Sequence, residues 1–336
     1  MSNLPQMPQT PATVRKIVHL VDDTTAGGVM RAVDYMTTHP ELAADASHEI
    51  VQIRKGAWRI GRFEADIIVS HTTLSWRGLP GLISLRAMNP GARLLHVEHS
   101  YTRNFTALNV PDTGRFFAML RLSYALFDGV VAVSRTQADW LRERALVSAE
   151  ALQVISPLVD LAPFAAVRHV HGMPKTIGAI GRLDRQKGFD ILIEGFRRWA
   201  DPEARLLIFG EGDQRADLER LAGDDARIRF LGHAGDPAMA MAQVGVVAMP
   251  SRWEAYGLVC LEAQAAGRPV MAARADGLAD AGRGDVFHVA DNTPDGWAAA
   301  FAARFAPTRT AALASGAPVG AEGARWQDAW SRTLAG

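Results

Sequence analysis

Residues 251–267 read Ser-Arg-Trp-Glu-Ala-Tyr-Gly-Leu-Val-Cys-Leu-Glu-Ala-Gln-Ala-Ala-Gly and follow the short apolar run Val244–Met249. A run of that length, bounded by turn residues, reads as a buried parallel strand that Pro250 and Ser251 end. Gly257 permits a tight approach to a following helix, and Gly267 supplies its stop. The order is strand, loop, helix, with Glu254 in the loop and Glu262 about one turn inside the helix. Backbone N–H groups at Gly257 and Leu258, just past Tyr256, stand at a helix N-terminus, where phosphate is attracted. A carboxylate further along accepts hydrogen bonds from a sugar diol, and one in the loop reaches the other side of the same ligand. The arrangement suits a nucleotide-sugar, with phosphates at the helix start, ribose beside Glu262 and the sugar toward Glu254.

Upstream, Thr176–Ile180 begins a strand–helix series of the same kind. Gly181-Arg182-Leu-Asp-Arg-Gln-Lys187-Gly188 then leads into a helix over Phe189–Trp199. An arginine and a lysine flanking a turn at a strand's carboxyl end either neutralise a diphosphate or form a solvated basic turn. Arg205–Phe209 is a further buried strand; the Gly210-Glu-Gly212 after it lacks the third glycine of a dinucleotide fingerprint. Ile228–Gly232 and Pro269–Ala272 read as strands, with His233 opening the loop after the first and Asp276-Gly277-Leu278 following the second.

The first half shows the same alternation. Val14–Val21 is a strand, and Asp22-Asp23-Thr-Thr-Ala-Gly27-Gly28-Val29 links it to a helical pattern over Met30–Met36. A glycine pair between strand and helix lets backbone approach an anion closely, or makes a tight turn. Asp22 and Asp23 face an acceptor or serve as solvated turn residues. His48–Ile53, Ile67–Ser70, Arg93–Glu98, Gly129–Val133 and Leu152–Ile155 are the other strands, with helical patterns between several of them. That alternation belongs to doubly wound parallel sheets. Ser134-Arg-Thr-Gln137 reads as a capping box. His96-Val-Glu98-His99 invites a metal reading, but strand alternation sends His96 and Glu98 to one face and His99 to the other, so no metal site is expected. From Lys55 to Arg121, Trp58, Arg59, Arg62, Trp76, Arg77, Arg86, Arg93, Arg103, Phe105, Arg115, Phe116 and Phe117 accumulate. They form an ordinary surface over an aromatic core, or a face for an anionic membrane or a pyrophosphate-lipid acceptor.

Length and composition frame this reading. The 336 residues suffice for two domains with substantial cores. Thirty-six basic residues against 36 acidic ones leave no net charge, so bulk electrostatics do not point to nucleic acid. The single cysteine, Cys260, excludes an intrachain disulfide, and its apolar neighbours mark it as core. No apolar run approaches a membrane span. Met1–Thr13, rich in Pro and Gln, is not a signal peptide and reads as a mobile tail, so a cytoplasmic location is expected.

Glu254-x7-Glu262 resembles the paired acids of retaining glycosyltransferases of family 4, which have the GT-B fold. Gly181–Gly188 closely matches that family's G-R-L-x-x-x-K-G, and Gly27-Gly28-Val29 resembles its GG-V loop. Ser156–Phe164 resembles its interdomain segment, although Pro157-Leu158 replaces the usual Asn-Gly; Asp276 likewise stands where the family has glycine. The resemblance implies an α/β architecture of two Rossmann-like doubly wound domains facing a cleft. Its expected divisions are a tail over 1–13, an acceptor-side domain over 14–160 and a linker over 161–174. A nucleotide-sugar domain over 175–318 and a helix over 319–336 crossing back to the first domain complete them. It further implies catalytic roles for Glu254 and His99, with donor contacts at Gly27, Gly28, Arg182, Lys187, His233, Tyr256, Gly257, Leu258 and Glu262. His233 is also readable as an exposed loop residue. The implied reaction moves a sugar with retention from a UDP- or GDP-sugar to a glycan or lipid-linked acceptor. It belongs to bacterial surface polysaccharide or glycolipid synthesis, with peripheral contact at the inner membrane face. No Asp-x-Asp triplet occurs, so no metal and no cofactor are expected. A nucleotide-sugar epimerase or hydrolase, and a catalytically silent nucleotide-sugar-binding protein, are the alternatives on the same fold.

Overall fold

The computed structural model describes residues 14–25, 27–40, 42, 46–167, 175–281, 286–306 and 320–335. The expected tail, the 168–174 part of the expected linker and residues 307–319 lie outside them. The chain forms two six-stranded sheets, parallel throughout. The first contains β1 (Arg15–Val21), β2 (Ala46–Gln52), β3 (Ile67–Ser70), β4 (Arg93–Glu98), β5 (Gly129–Ala132) and β6 (Leu152–Val154), ordered β2-β1-β3-β4-β5-β6. The second contains β7 (Thr176–Ile180), β8 (Arg205–Phe209), β9 (Ile228–Gly232), β10 (Val246–Met249), β11 (Val270–Ala273) and β12 (Val286–Val289), ordered β12-β11-β10-β7-β8-β9.

Every residue of β3, β5, β10 and β11 is buried, because both faces are covered. Such strands read as continuous apolar runs, which is why sequence locates them closely. The edge strand β12 has no counterpart in the sequence reading. Its Phe287 is exposed and its His288 half-buried, so no apolar run marks it. Ser134 caps the helix Arg135–Glu143 by accepting from Gln137 N at 3.2 Å. The Gln137 side chain accepts from Val133 N instead of Ser134 N, so the reciprocal half of the expected capping box forms one residue early.

Each sheet reverses its winding once. β1 lies between β2 and β3, and β7 lies between β8 and β10. Ligands of open parallel sheets bind beyond the strands' carboxyl ends at such a reversal. The loops after β1, β3, β7 and β10 are therefore where site residues should collect. The helix Gly320–Ala335 covers the first sheet, where Trp326 and Trp330 pack with Ile17, Val69, Leu95 and Val97. Arg15 and Arg93 donate to the carbonyls of Leu334 and Thr333, cations placed at a helix carboxyl end. No helix among the described residues is long and apolar enough to cross a membrane.

Candidate active site

β10 ends at Met249, and the chain crosses the sheet edge before entering the helix Leu258–Ala265. Gly257 turns this corner at φ 97°, ψ 66°, and a Cβ there would lie 2.5 Å from Leu278 Cδ2. Glycine alone takes that conformation without strain and overlap. The corner sets Glu254 against the loop that follows β7. Lys187 Nζ donates to Glu254 Oε2 at 2.5 Å, and Ser251 Oγ donates to the same oxygen at 3.4 Å. A second glycine joins the two loops: Gly188 has φ 68°, and its Cβ would lie 2.3 Å from the Pro250 carbonyl oxygen. Glu262 is fully buried; its Oε1 accepts from Arg31 Nη1 at 2.6 Å, while its Oε2 has no partner. Burial raises the Glu262 carboxyl above its ordinary pKa, against the opposing pull of the Arg31 guanidinium. Two solvated surface acids are thus excluded: Glu254 is 9% exposed and Glu262 0%.

The first sheet supplies the opposite wall. Gly27 is the extended N-cap of the helix Gly28–Thr38, which buries Ala32, Val33 and Met36. A Cβ on Gly28 would lie 3.2 Å from Leu258 Cδ1, so the glycine pair abuts the start of the acid-bearing helix. Asp22 accepts from Thr73 N in the loop after β3, and Asp23 accepts from Thr25 N and Oγ1 within its own turn. His99, just past β4, is half-buried and lies 3.0 Å from His71 through its Nε2. Burial pushes its imidazole down to about 4, with nearby Glu98 opposing and His96 adding to the fall. His96 and Glu98 point elsewhere, 3.5 Å apart, and Glu98 accepts from Ser100 N, Tyr101 N and Tyr124 Oη.

Other sequence candidates stand further out. Arg182 projects outward, pairing with Asp184 at 2.8 Å. His233 is exposed at the carboxyl end of edge strand β9. Tyr256 is half-buried and packs with Ala255 and Leu261 against the first sheet's cluster. The run of arginines and aromatics divides: Phe105, Phe116 and Phe117 pack against the core, whereas Trp58 and Trp76 are exposed. Sequence reasoning missed Arg31 and the bridging role of Asp276. Arg31 stands three residues past Gly28 in the first turn of its helix, the signal available for it. Asp276 holds φ 44°, and its carboxylate accepts from Thr102 Oγ1 at 2.7 Å and Asn104 N at 3.0 Å. It also receives Glu254 N at 3.4 Å, so it links the acid loop to the first half of the chain. Burial raises its carboxyl pKa.

Comparison with known proteins adds to this geometry. The model of Glycosyltransferase Family 4 matches residues 21–163, and that of Glycosyl transferases group 1 matches residues 174–305. A D-inositol 3-phosphate glycosyltransferase of Pseudarthrobacter chlorophenolicus is 31% identical over 330 residues, spanning 88% of this chain and 74% of that protein. A phosphatidyl-myo-inositol mannosyltransferase of Mycolicibacterium smegmatis is 30% identical over 298 residues, spanning 84% and 72%. Among solved structures, Anabaena HepE in complex with UDP and glucose superposes with TM-score 0.72 at 19% identity, covering 96% of this chain and 99% of that one. Sucrose-phosphate synthase of Thermosynechococcus elongatus gives 0.68 at 20% identity, covering 94% of each. The two structural matches place the pair of sheets in the GT-B fold.

Proposed function

Because the chain belongs to the family 4, group 1 glycosyltransferases, we propose that it transfers a sugar with retention from a UDP- or GDP-sugar to a glycan or lipid-linked acceptor. The observation that supports this most is the meeting of Lys187, Glu254 and the Gly257 helix start at the second sheet's reversal point. In this reading the bond from the anomeric carbon to the diphosphate oxygen breaks while the acceptor hydroxyl attacks the same face. The acceptor's proton leaves with the diphosphate. Lys187, Arg182 and the amides at Gly257 and Leu258 take up the diphosphate charge in place of a metal ion. Gly27 and Gly28 bring backbone to the phosphates from the other wall. Glu254 and His99 meet the transferred sugar, Glu262 the ribose, Tyr256 flanks the phosphates, and His233 lies toward the base. The phosphatidyl-myo-inositol in the mannosyltransferase relative's name favours a glycolipid acceptor. Exposed Trp58 and Trp76, beside exposed Arg59, Arg62 and Arg77, suit peripheral contact with an anionic inner membrane face.

Steady-state constants and nucleoside-diphosphate Kd for Glu254→Gln, Glu262→Gln and His99→Ala test the assignment. A ribose contact changes little during reaction, so Glu262→Gln raises donor KM with a smaller change in kcat. Charge develops at the sugar, so Glu254→Gln and His99→Ala lower kcat with little change in Kd. Full kcat in Glu254→Gln together with an unchanged KM in Glu262→Gln sinks the reading. Turnover survives exhaustive chelation; its loss, with return on adding manganese or magnesium, overturns the metal-free mechanism. The linkage formed is the α- or β-anomer matching the donor, and inversion in the product rejects retention.

A further inference from the structure

Four histidines cross the first sheet in one line. His48 is on β2, His19 on β1, His71 just past β3 and His99 just past β4, following the spatial order of the strands. Their register is regular. His48 pairs with Ile17, two residues short of His19. His19 pairs with Val69, two residues short of His71. Ser70 pairs with His96, so His71 stands one residue past that pair and His99 three past it. An offset of two keeps every ring on one face and climbs one pleat per strand toward the carboxyl edge.

The rings touch in sequence. His48 Nδ1 lies 3.0 Å from His19 Nε2, His19 Nδ1 lies 3.1 Å from His71 Nε2, and His71 Nδ1 lies 3.0 Å from His99 Nε2. Successive centroids are 5.2, 5.4 and 5.3 Å apart, with the rings stacked. At the far end His48 Nε2 faces the Leu42 carbonyl oxygen at 3.5 Å. We propose that His48, His19 and His71 are positioning residues that fix His99 as its Nε2–H tautomer and leave its Nδ1 lone pair for the ligand.

The argument is one of donor counting. A neutral imidazole has one N–H and one lone pair, so consecutive bonds between neutral rings all run the same way. The Leu42 carbonyl only accepts, which puts the His48 proton on Nε2 and its lone pair on Nδ1. His19 then donates from Nε2 to His48, His71 donates to His19, and His99 donates to His71. Burial, the leading cause in each ring, keeps them neutral: it pushes His19 down to about 3 and His71 well below its ordinary value, and it lowers His48. The groups facing the chain are His96, which disfavours charge on His71 and His99, and Glu98, which favours it on His99. The Glu98 carboxylate is already held by Ser100 N, Tyr101 N and Tyr124 Oη. A lone pair at His99 Nδ1 accepts from a sugar hydroxyl and repels a carboxylate. That selects neutral hexoses over uronic acids, a consequence resting on the sugar-contact reading of His99 above; the tautomer itself does not.

Histidine-selective 15N labelling of the full chain tests the chain without turnover. His19, His71 and His99 should stay neutral and protonated at Nε2 from about pH 5 to 8. Scalar coupling across the hydrogen bond should join His99 Nε2 to His71 Nδ1. An Nδ1–H tautomer at His99, its titration in that window, or missing coupling overturns the proposal. His71→Phe keeps a ring but removes the acceptor, whereas His71→Asn returns an oxygen near Nδ1. The first should lower kcat about tenfold with nucleoside-diphosphate Kd unchanged, and the second should recover most of that loss. Equal turnover in both variants overturns the positioning role, and the wild-type spectra decide the tautomer even where His71→Phe fails to fold. Intact coupling in wild type, together with full turnover in His99→Ala, upholds the tautomer and rejects the sugar contact instead.

Discussion

At the scale of single residues, the two acids separated by seven positions occupy unlike environments. Glu254 shares its proton-accepting oxygen between Lys187 and Ser251, whereas Glu262 sits buried with one oxygen on Arg31 and the other unpartnered. A buried acid with half its acceptor capacity empty is costly in the unliganded fold. Its raised pKa gives the sign of the pH dependence. Stability from the neutral carboxyl is fully present below the unfolded value near 4.5 and is lost as pH rises through the higher folded value. We therefore expect Glu262→Gln to melt higher than wild type at neutral pH without ligand, with the gap closing as pH falls toward about 4.5. If Glu262 meets the ribose as proposed, wild type binds nucleoside diphosphate better, and saturating nucleotide should reverse the order. Thermal melts across pH, with and without the nucleotide, check both halves. A loss of more than about 2 kcal/mol in unliganded Glu262→Gln would instead make the Arg31 pair a net stabiliser.

At the scale of elements, glycines decide how closely the loops approach, and they separate stability from binding. Gly257 and Gly188 hold left-handed conformations, with any Cβ meeting Leu278 or the Pro250 carbonyl at 2.5 and 2.3 Å. Gly27 is extended, and its nearest neighbour would be 3.7 Å from a Cβ. Gly188→Ala and Gly257→Ala should each cost about 2–4 kcal/mol, combining strain and overlap. Gly27→Ala should change stability by less than about 0.5 kcal/mol yet weaken nucleoside-diphosphate binding at least tenfold. Denaturant melts paired with calorimetry make the comparison, and full affinity in Gly27→Ala removes that loop from the phosphate site. These elements also show what was legible beforehand. Strands covered on both faces announce themselves by apolar runs, and the turn residues Gly181, Gly188 and Gly257 mark the corners between them. The strand β12 carries no such mark, because an edge strand need not be apolar. The pairing of Lys187 with Glu254 was not legible either: each residue stood out alone, and only the crossing of two loops brings them to 2.5 Å.

At the scale of the whole molecule, the two halves meet through polar contacts that sequence separation conceals. Arg31 reaches Glu262, Thr136 reaches Asp280, Arg185 reaches Asn109, and Asp276 receives both Thr102 and Asn104. Partners 76 to 231 positions apart leave no periodicity to read, so Arg31 and the bridging role of Asp276 escaped the sequence. The contacts also close the cleft, since Glu262 is fully buried between the halves. On the proposed ribose assignment, a nucleotide-sugar would reach that carboxylate only after Arg31 moves away, with the halves parting. Asp276 is the contact best suited to control this step. Its φ of 44° is a conformation glycine adopts more readily, so the side chain is retained at a conformational cost that its bridging hydrogen bonds offset. Asp276→Gly relieves the backbone and deletes the acceptor for Thr102 and Asn104 together. Folding stability should change by less than about 1 kcal/mol, because the two effects oppose each other. The unliganded variant should show a larger radius of gyration by small-angle scattering and bind nucleoside diphosphate with a faster on-rate than wild type. Saturating nucleotide should bring the two proteins back to the same dimensions. Identical scattering and identical association rates in the unliganded pair would show that Asp276 joins the halves without holding them closed.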